Sequence, residues 1–177
     1  MKNWKENRAL ACVVLAAAIL GGTFGIGGAK LSSAARSVNE AYAQNIAGDL
    51  ALRAAAAQNI IAEGEAALGA DAASVKTAKR AVEALEAAEG PAQEYAANAA
   101  LTASVGMLYE ETRKVSGDDK GILLQTQWSE FLSRGNIIDN SADAYNEQAR
   151  AAQKKLSGFP ASLIAGLTGA QAEEFSA

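Results

Sequence analysis

The sequence predicts an all-α chain: an N-terminal transmembrane helix, then an elongated antiparallel bundle of about four long helices and a short C-terminal helix. Three observations carry that prediction. Residues Ala9 to Ala29 form one run without a charge. Beyond it, apolar residues recur in alternating steps of four and three, the spacing that keeps one stripe of a helix facing a neighbour. The composition also favours helix over sheet: two prolines, few aromatics and abundant alanine.

The uncharged run spans roughly 30 Å at a helical rise of ~1.5 Å per residue, which matches one bilayer core. Lys2, Lys5 and Arg8 precede it, with Trp4 where an interfacial aromatic belongs, and Lys30 and Arg36 follow. The first flank carries one more cation, partly offset by Glu6. That favours a single-pass membrane protein with its N-terminus inside and its bundle outside. A signal peptide cleaved after Gly27-Gly28-Ala29 is the alternative, but a signal core is usually only ~7–15 residues long, so a retained anchor in contact with lipid through residues 9–29 is expected. A lipoprotein reading of Cys12 fails, because only Ala9, Leu10 and Ala11 precede it as apolar residues. Gly21 and Gly25 stand at a GxxxG spacing, extended by Gly27 and Gly28, and offer a route to homo-oligomers through close anchor packing, the bundle faces being another. The plainer reading is that glycine is simply common at this end of the segment. The chain thus divides into an anchor (1–30), a juxtamembrane helical connection (31–44) and a bundle (45–177).

The bundle helices follow in order. Ile46, Leu50, Ala54, Ala57, Ile61, Gly64 and Leu68 make the first seam, ended by Gly69, with Asp71 placed to cap the next helix. Val75, Ala78, Val82 and Leu85 make a shorter one. Glu89-Gly90-Pro91 closes it and opens another, since proline suits a first turn. That third seam is Leu101, Val105, Leu108, Thr112 and Val115. After Ser116-Gly117, with Asp118 and Asp119 as capping acids, the longest seam runs Leu124, Trp128, Phe131, Gly135, Ile138, Ala142, Tyr145, Ala149, Ala152 and Leu156. Gly158-Phe159-Pro160 ends it and opens the final short helix. Many seam positions are Ala or Gly, so helices approach closely while each residue buries little area.

Chemistry is constrained by what is missing. The chain has no histidine and one cysteine, which removes histidine triads, the commonest metal ligand and any cysteine zinc site. No catalytic, cofactor-binding or metal-binding residues are predicted. The paired acids Glu110-Glu111, Asp118-Asp119 and Glu173-Glu174 point about 100° apart on a helix and do not face each other across a pocket. Asn136, Asn140 and Asp143, with Asp139 and Glu147 beside them, read as a solvated polar face, since a straight helix lines ligands up rather than wrapping an ion. Charges are spread through a formal net of −4, with no basic block, which argues against nucleic acid.

Two stretches carry a resemblance. Tyr145-Asn146, the run Phe159-Pro160-Ala161-Ser162-Leu163-Ile164-Ala165-Gly166-Leu167 and a closing Phe175 form one; Asp49-Leu50, Arg53 and Asn59-Ile60-Ile61 form the other. In order and spacing the chain resembles the LemA family of membrane-anchored helical proteins over nearly its whole length. Each motif alone is short. Gln58 stands where many members have proline, and Ala142 where many have arginine. The resemblance implies the anchor and the long antiparallel helices, and it supplies no reaction.

Two candidate sites follow. Because both regions carry the resemblance, Arg53, Asn59, Tyr145 and Asn146 are expected to form a polar clasp between helices, or else to bind a small or peptide ligand there. Phe159, Leu163, Ile164 and Leu167 share one side of the last helix. They are expected to cap the bundle, the alternatives being a protein docking surface or contact with the membrane interface. The function so implied is an interaction or scaffold module with an unidentified membrane or envelope protein as partner. The alternative is a ligand- or peptide-binding module using Tyr145, Asn59 and Arg53.

Overall fold

The computed structural model describes residues 27–176, with the side chains of 118–120 excepted. All regular structure among them is helical. Residues 27–42 form α1, which runs through a π-helical segment, Ala43–Ala47, into α2, Gly48–Leu68. Then come α3 (Ala73–Glu86), α4 (Pro91–Val115), α5 (Asp118–Ser157) and α6 (Ala161–Thr168). No helix among the described residues is long and apolar enough to cross a membrane. Nearly all of the predicted anchor, with Trp4, Cys12, Gly21 and Gly25, lies outside the described residues.

The longest seam is one face of one unbroken helix of 40 residues. Leu124, Phe131, Gly135, Ile138, Tyr145, Ala149, Ala152 and Leu156 are buried along it, with Trp128 and Ala142 half-buried. The α2 seam is buried from Ile46 to Gly64, and all four seam residues of α3 are buried. On α4 the stripe holds from Leu101 to Thr112. Val115 departs from it, 58 % exposed, because it is the last residue of its helix and has no next turn to pack beside.

Pairings across the bundle set its direction. Asp49 meets Arg134 and Asn59 meets Gln127, so α2 and α5 are antiparallel. Glu65 meets Lys79 and Gln58 meets Glu86, which makes α3 antiparallel to α2; Ser74 meets Glu111, which makes it antiparallel to α4. Arg53 beside Asn98 and Gly64 beside Leu108 leave α2 and α4 parallel. Four helices therefore run up, down, up and down, as short connections favour. α3 has only 14 residues and ends opposite Gln58, so the rest of α2 lacks a third helical neighbour there. The C-terminal segment from Glu173 takes up that position.

Gly69 and Gly90 sit at the two sharp reversals with φ of 90° and 88°, a region closed to most L-residues. Asp71 does not cap α3. The cap position is Ala72, without a side-chain bond, and Asp71 pairs instead with Lys76 in solvent. A carboxylate one residue too early cannot reach the first free N–H groups.

The contacts divide the chain into two units. Among described residues, one is 27–39 with 150–172, and the other is 40–149 with 173–176. In the first, Ile164 of α6 lies against Gly27 and Gly28: a Cβ on either would meet it at 3.4 and 3.5 Å. Ala35, Val38, Ala152, Leu156 and Ala165 are also buried there. Sequence periodicity cannot give this division, because one helix, α5, contributes to both units.

Candidate functional site

Arg53 is the most buried cation among the described residues, 4 % exposed, on the seam side of α2. Its Nη1–H donates to Asn98 Oδ1, and Nη2–H donates to Thr102 Oγ1 at 2.9 Å. The guanidinium lies over the Phe131 ring, 4.3 Å from its centroid, a cation–π placement. Nε has no hydrogen-bond partner among the described residues. Burial lowers the pKa of this guanidinium, and the Asp139 carboxylate opposes that shift. The stack continues outward: Phe131 against Trp128 at 5.4 Å, Trp128 against Tyr109 at 4.6 Å, and Arg113 5.9 Å beyond the Tyr109 ring. Three rings thus run between two arginines, one buried and one exposed.

Tyr145 and Asn146 do something else. The Tyr145 hydroxyl donates to the Glu173 carbonyl. Asn146 Nδ2–H donates to the Phe175 carbonyl at 3.1 Å, while its Oδ1 accepts the Phe175 N–H at 2.8 Å. One amide thereby satisfies both backbone groups of a buried residue. The Phe175 side chain is 1 % exposed, edge-on to Tyr95 at 5.3 Å and 6.1 Å from Tyr42. Tyr42 packs on Tyr145 at 5.3 Å and donates to Glu94. Burial first, and the Glu94 carboxylate second, push the Tyr42 pKa well above its ordinary value. Tyr145 is pushed up to about 12, again chiefly by burial and then by the carboxylates of Glu173, Glu174 and Glu94.

The expected four-residue clasp is therefore two separate arrangements and a surface residue. Tyr145 and Asn146 bind the C-terminal segment, Arg53 binds α4, and Asn59 is exposed and donates to Gln127 at 3.1 Å. Arg53, Asn59 and Tyr145 bond to three different partners, on α4, α5 and the C-terminal segment respectively. The geometric reason is helical phase: Arg53 lies on the buried side of α2, whereas Asn59, six residues on, falls on the outer side.

The docking residues divide as well. Ile164 is 2 % exposed, whereas Phe159, Leu163 and Leu167 are 86 %, 56 % and 77 % exposed. The short helix is thus held down by Ile164 and Ala165, and the other three do not cap a core. Asn136, Asp139, Asn140, Asp143 and Glu147 are all exposed, as a solvated face requires. No group of three or more metal-ligating side chains forms among the described residues.

A shallow groove of about 380 Å³ lies between α2 and α3, with an apolar lining from Ile61, Ala62 and Val82. Two polar pairs already bridge its helices, Lys79 with Glu65 and Gln58 with Glu86 at 3.0 Å.

Sequence reasoning missed Asn98, Thr102, Tyr42, Tyr95 and Glu94. Asn98 carried a signal: it lies one step of three before Leu101 and so continues the α4 seam with a polar residue. A buried polar residue needs a partner, and Arg53 is a matching one. Comparison with known proteins adds no identity to these contacts: no family model, curated protein or solved structure matches the chain.

Proposed function

We propose that this chain is a non-enzymatic interaction module of the bacterial cell envelope, tethered by its N-terminal apolar run, with an extracytoplasmic bundle. The resemblance to LemA proteins supports that reading, as does a sequence without histidine whose single cysteine lies in the apolar run. The observation that carries it is at the α4–α5 corner. Val115, Ile122 and Leu123 stand 58 %, 67 % and 48 % exposed within one turn region, while the same two helices bury their seams. Isolated apolar residues on a surface are ordinary, whereas several at one corner mark a contact surface. The unit containing the bundle has eight Lys and Arg against nineteen Asp and Glu, so the fitting partner presents apolar groups in basic surroundings.

The test places a photo-cross-linker at Val115 in the full chain in native membranes. A specific neighbouring protein is expected, lost when Ile122→Asp and Leu123→Asp are introduced, with the thermal melt unchanged. An adduct that survives both changes, or none at all, overturns the reading.

A further inference from the structure

The unit built from 27–39 and 150–172 is unlike the rest of the chain in charge. Among its described residues are Lys30, Arg36, Arg150, Lys154 and Lys155 and no Asp or Glu. The other unit holds nineteen of the twenty acids, the remaining one being Glu6. A chain of net charge −4 thus places the exposed Lys30, Lys154 and Lys155 in one small body whose described residues include no acid.

The same body carries an unpartnered apolar stripe. Leu163 and Leu167 follow at a step of four, so they lie nearly in line along α6, and Phe159 stands in the turn just before it. All three are exposed. Ile164, one residue and about 100° away, is buried against Gly27 and Gly28. That contact fixes the depth of α6. Gly27 and Gly28 are the last residues but one of the uncharged run, which ends at Ala29. At ~1.5 Å per residue the contact sits within ~5 Å of Lys30, where the chain regains charge. If the run spans the bilayer, that point is the membrane interface. Helices that lie on a bilayer bury their apolar face ~5–10 Å into it, and cations beside them meet anionic headgroups.

We propose that α6 is an interfacial helix: Phe159, Leu163 and Leu167 enter the bilayer surface beside the anchor, while the exposed Lys30, Lys154 and Lys155 engage anionic lipid headgroups. The proposal rests on the tethered reading given above. Apolar stripe, exposed lysines and depth together favour lipid as the occupant, the depth being what a protein partner would leave unexplained.

The test uses the full chain with Cys12→Ser, adding one of Leu163→Cys, Leu167→Cys, Asn136→Cys or Ala17→Cys, each labelled with an environment-sensitive fluorophore. The proteins are reconstituted in vesicles of phosphatidylcholine with phosphatidylglycerol, with and without nitroxide-labelled lipid. Leu163, Leu167 and Asn136 are exposed, so labels there disturb no core, and circular dichroism verifies each fold. Several-fold quenching is expected for probes at 163, 167 and 17, with the probe at 136 unaffected. Removing phosphatidylglycerol should weaken quenching at 163 and 167 but not at 17. Quenching at 17 with none at 163 and 167 overturns the interfacial helix and leaves the tether standing. No quenching at 17 removes the tether, and the inference with it. Probes at 163 and 167 that are shielded from water yet untouched by quencher lipid identify a protein cover and also overturn it.

Discussion

Gly135 leaves the space that the Arg53 guanidinium occupies. A Cβ at position 135 would lie 3.0 Å from both Cζ and Nη2 of Arg53. The guanidinium cannot retreat readily, since it is hydrogen-bonded to Asn98 and Thr102 and stacked on Phe131. Gly135→Ala should therefore lose stability: overpacking of about 1–3 kcal/mol outweighs the ~1 kcal/mol that alanine gains within a helix. In an Arg53→Ala background the obstacle is gone and Gly135→Ala should stabilise by about 1 kcal/mol. Chemical denaturation of the four proteins closes the cycle, and an equal effect of Gly135→Ala in both backgrounds would refute the relationship.

Burial along the seams predicts a graded response to truncation. Ile138 and Leu108 are fully buried, so replacing either by alanine should cost about 2–4 kcal/mol. Val115→Ala, on the same α4 stripe but exposed, should fall within about 0.5 kcal/mol of the parent. Denaturation midpoints distinguish a stripe that matters by burial from one that matters only by spacing.

The C-terminal segment gives a pH dependence. Folding raises the Tyr145 pKa from 10.0 to about 12, so the native state holds the hydroxyl proton more tightly than the unfolded chain. The associated stability is complete below pH 10 and is lost as pH rises through about 12. Tyr145→Phe should cost about 1 kcal/mol at neutral pH through the lost bond to Glu173, and the gap to the parent should close over that alkaline window. Asn146→Ala should cost about 1–3 kcal/mol at any pH, because it strands both backbone groups of Phe175. Faster hydrogen exchange at the Phe175 amide is the direct readout, and an unchanged rate would show that Asn146 does not hold the segment.

Much of the helical layout was legible because seam spacing is a local property. The run from Leu124 to Leu156 needs only its own periodicity to place one face inward, and Gly69, Gly90 and Pro91 mark reversals by their own backbone preferences. The candidate sites were only partly legible. Arg53 and Tyr145 were found, yet grouping them with Asn59 required knowing which helices are neighbours at which height. Asn59 also shows that nearness in a motif is not nearness in space, since six residues along a helix turn a side chain to the other surface.

The sequence by itself determined an all-helical chain, the stripe each helix buries and the points where the chain turns, because these follow from residue-to-residue periodicity and backbone preference. Tertiary structure alone decided that Phe175 fills the position beyond the end of α3, that Gly135 accommodates Arg53, and that Ile164 settles on Gly27 and Gly28 while Leu163 and Leu167 stay exposed. Those outcomes depend on relative helix lengths and on contacts between residues far apart in the chain, and no local pattern encodes which distant surface will be close enough to pack.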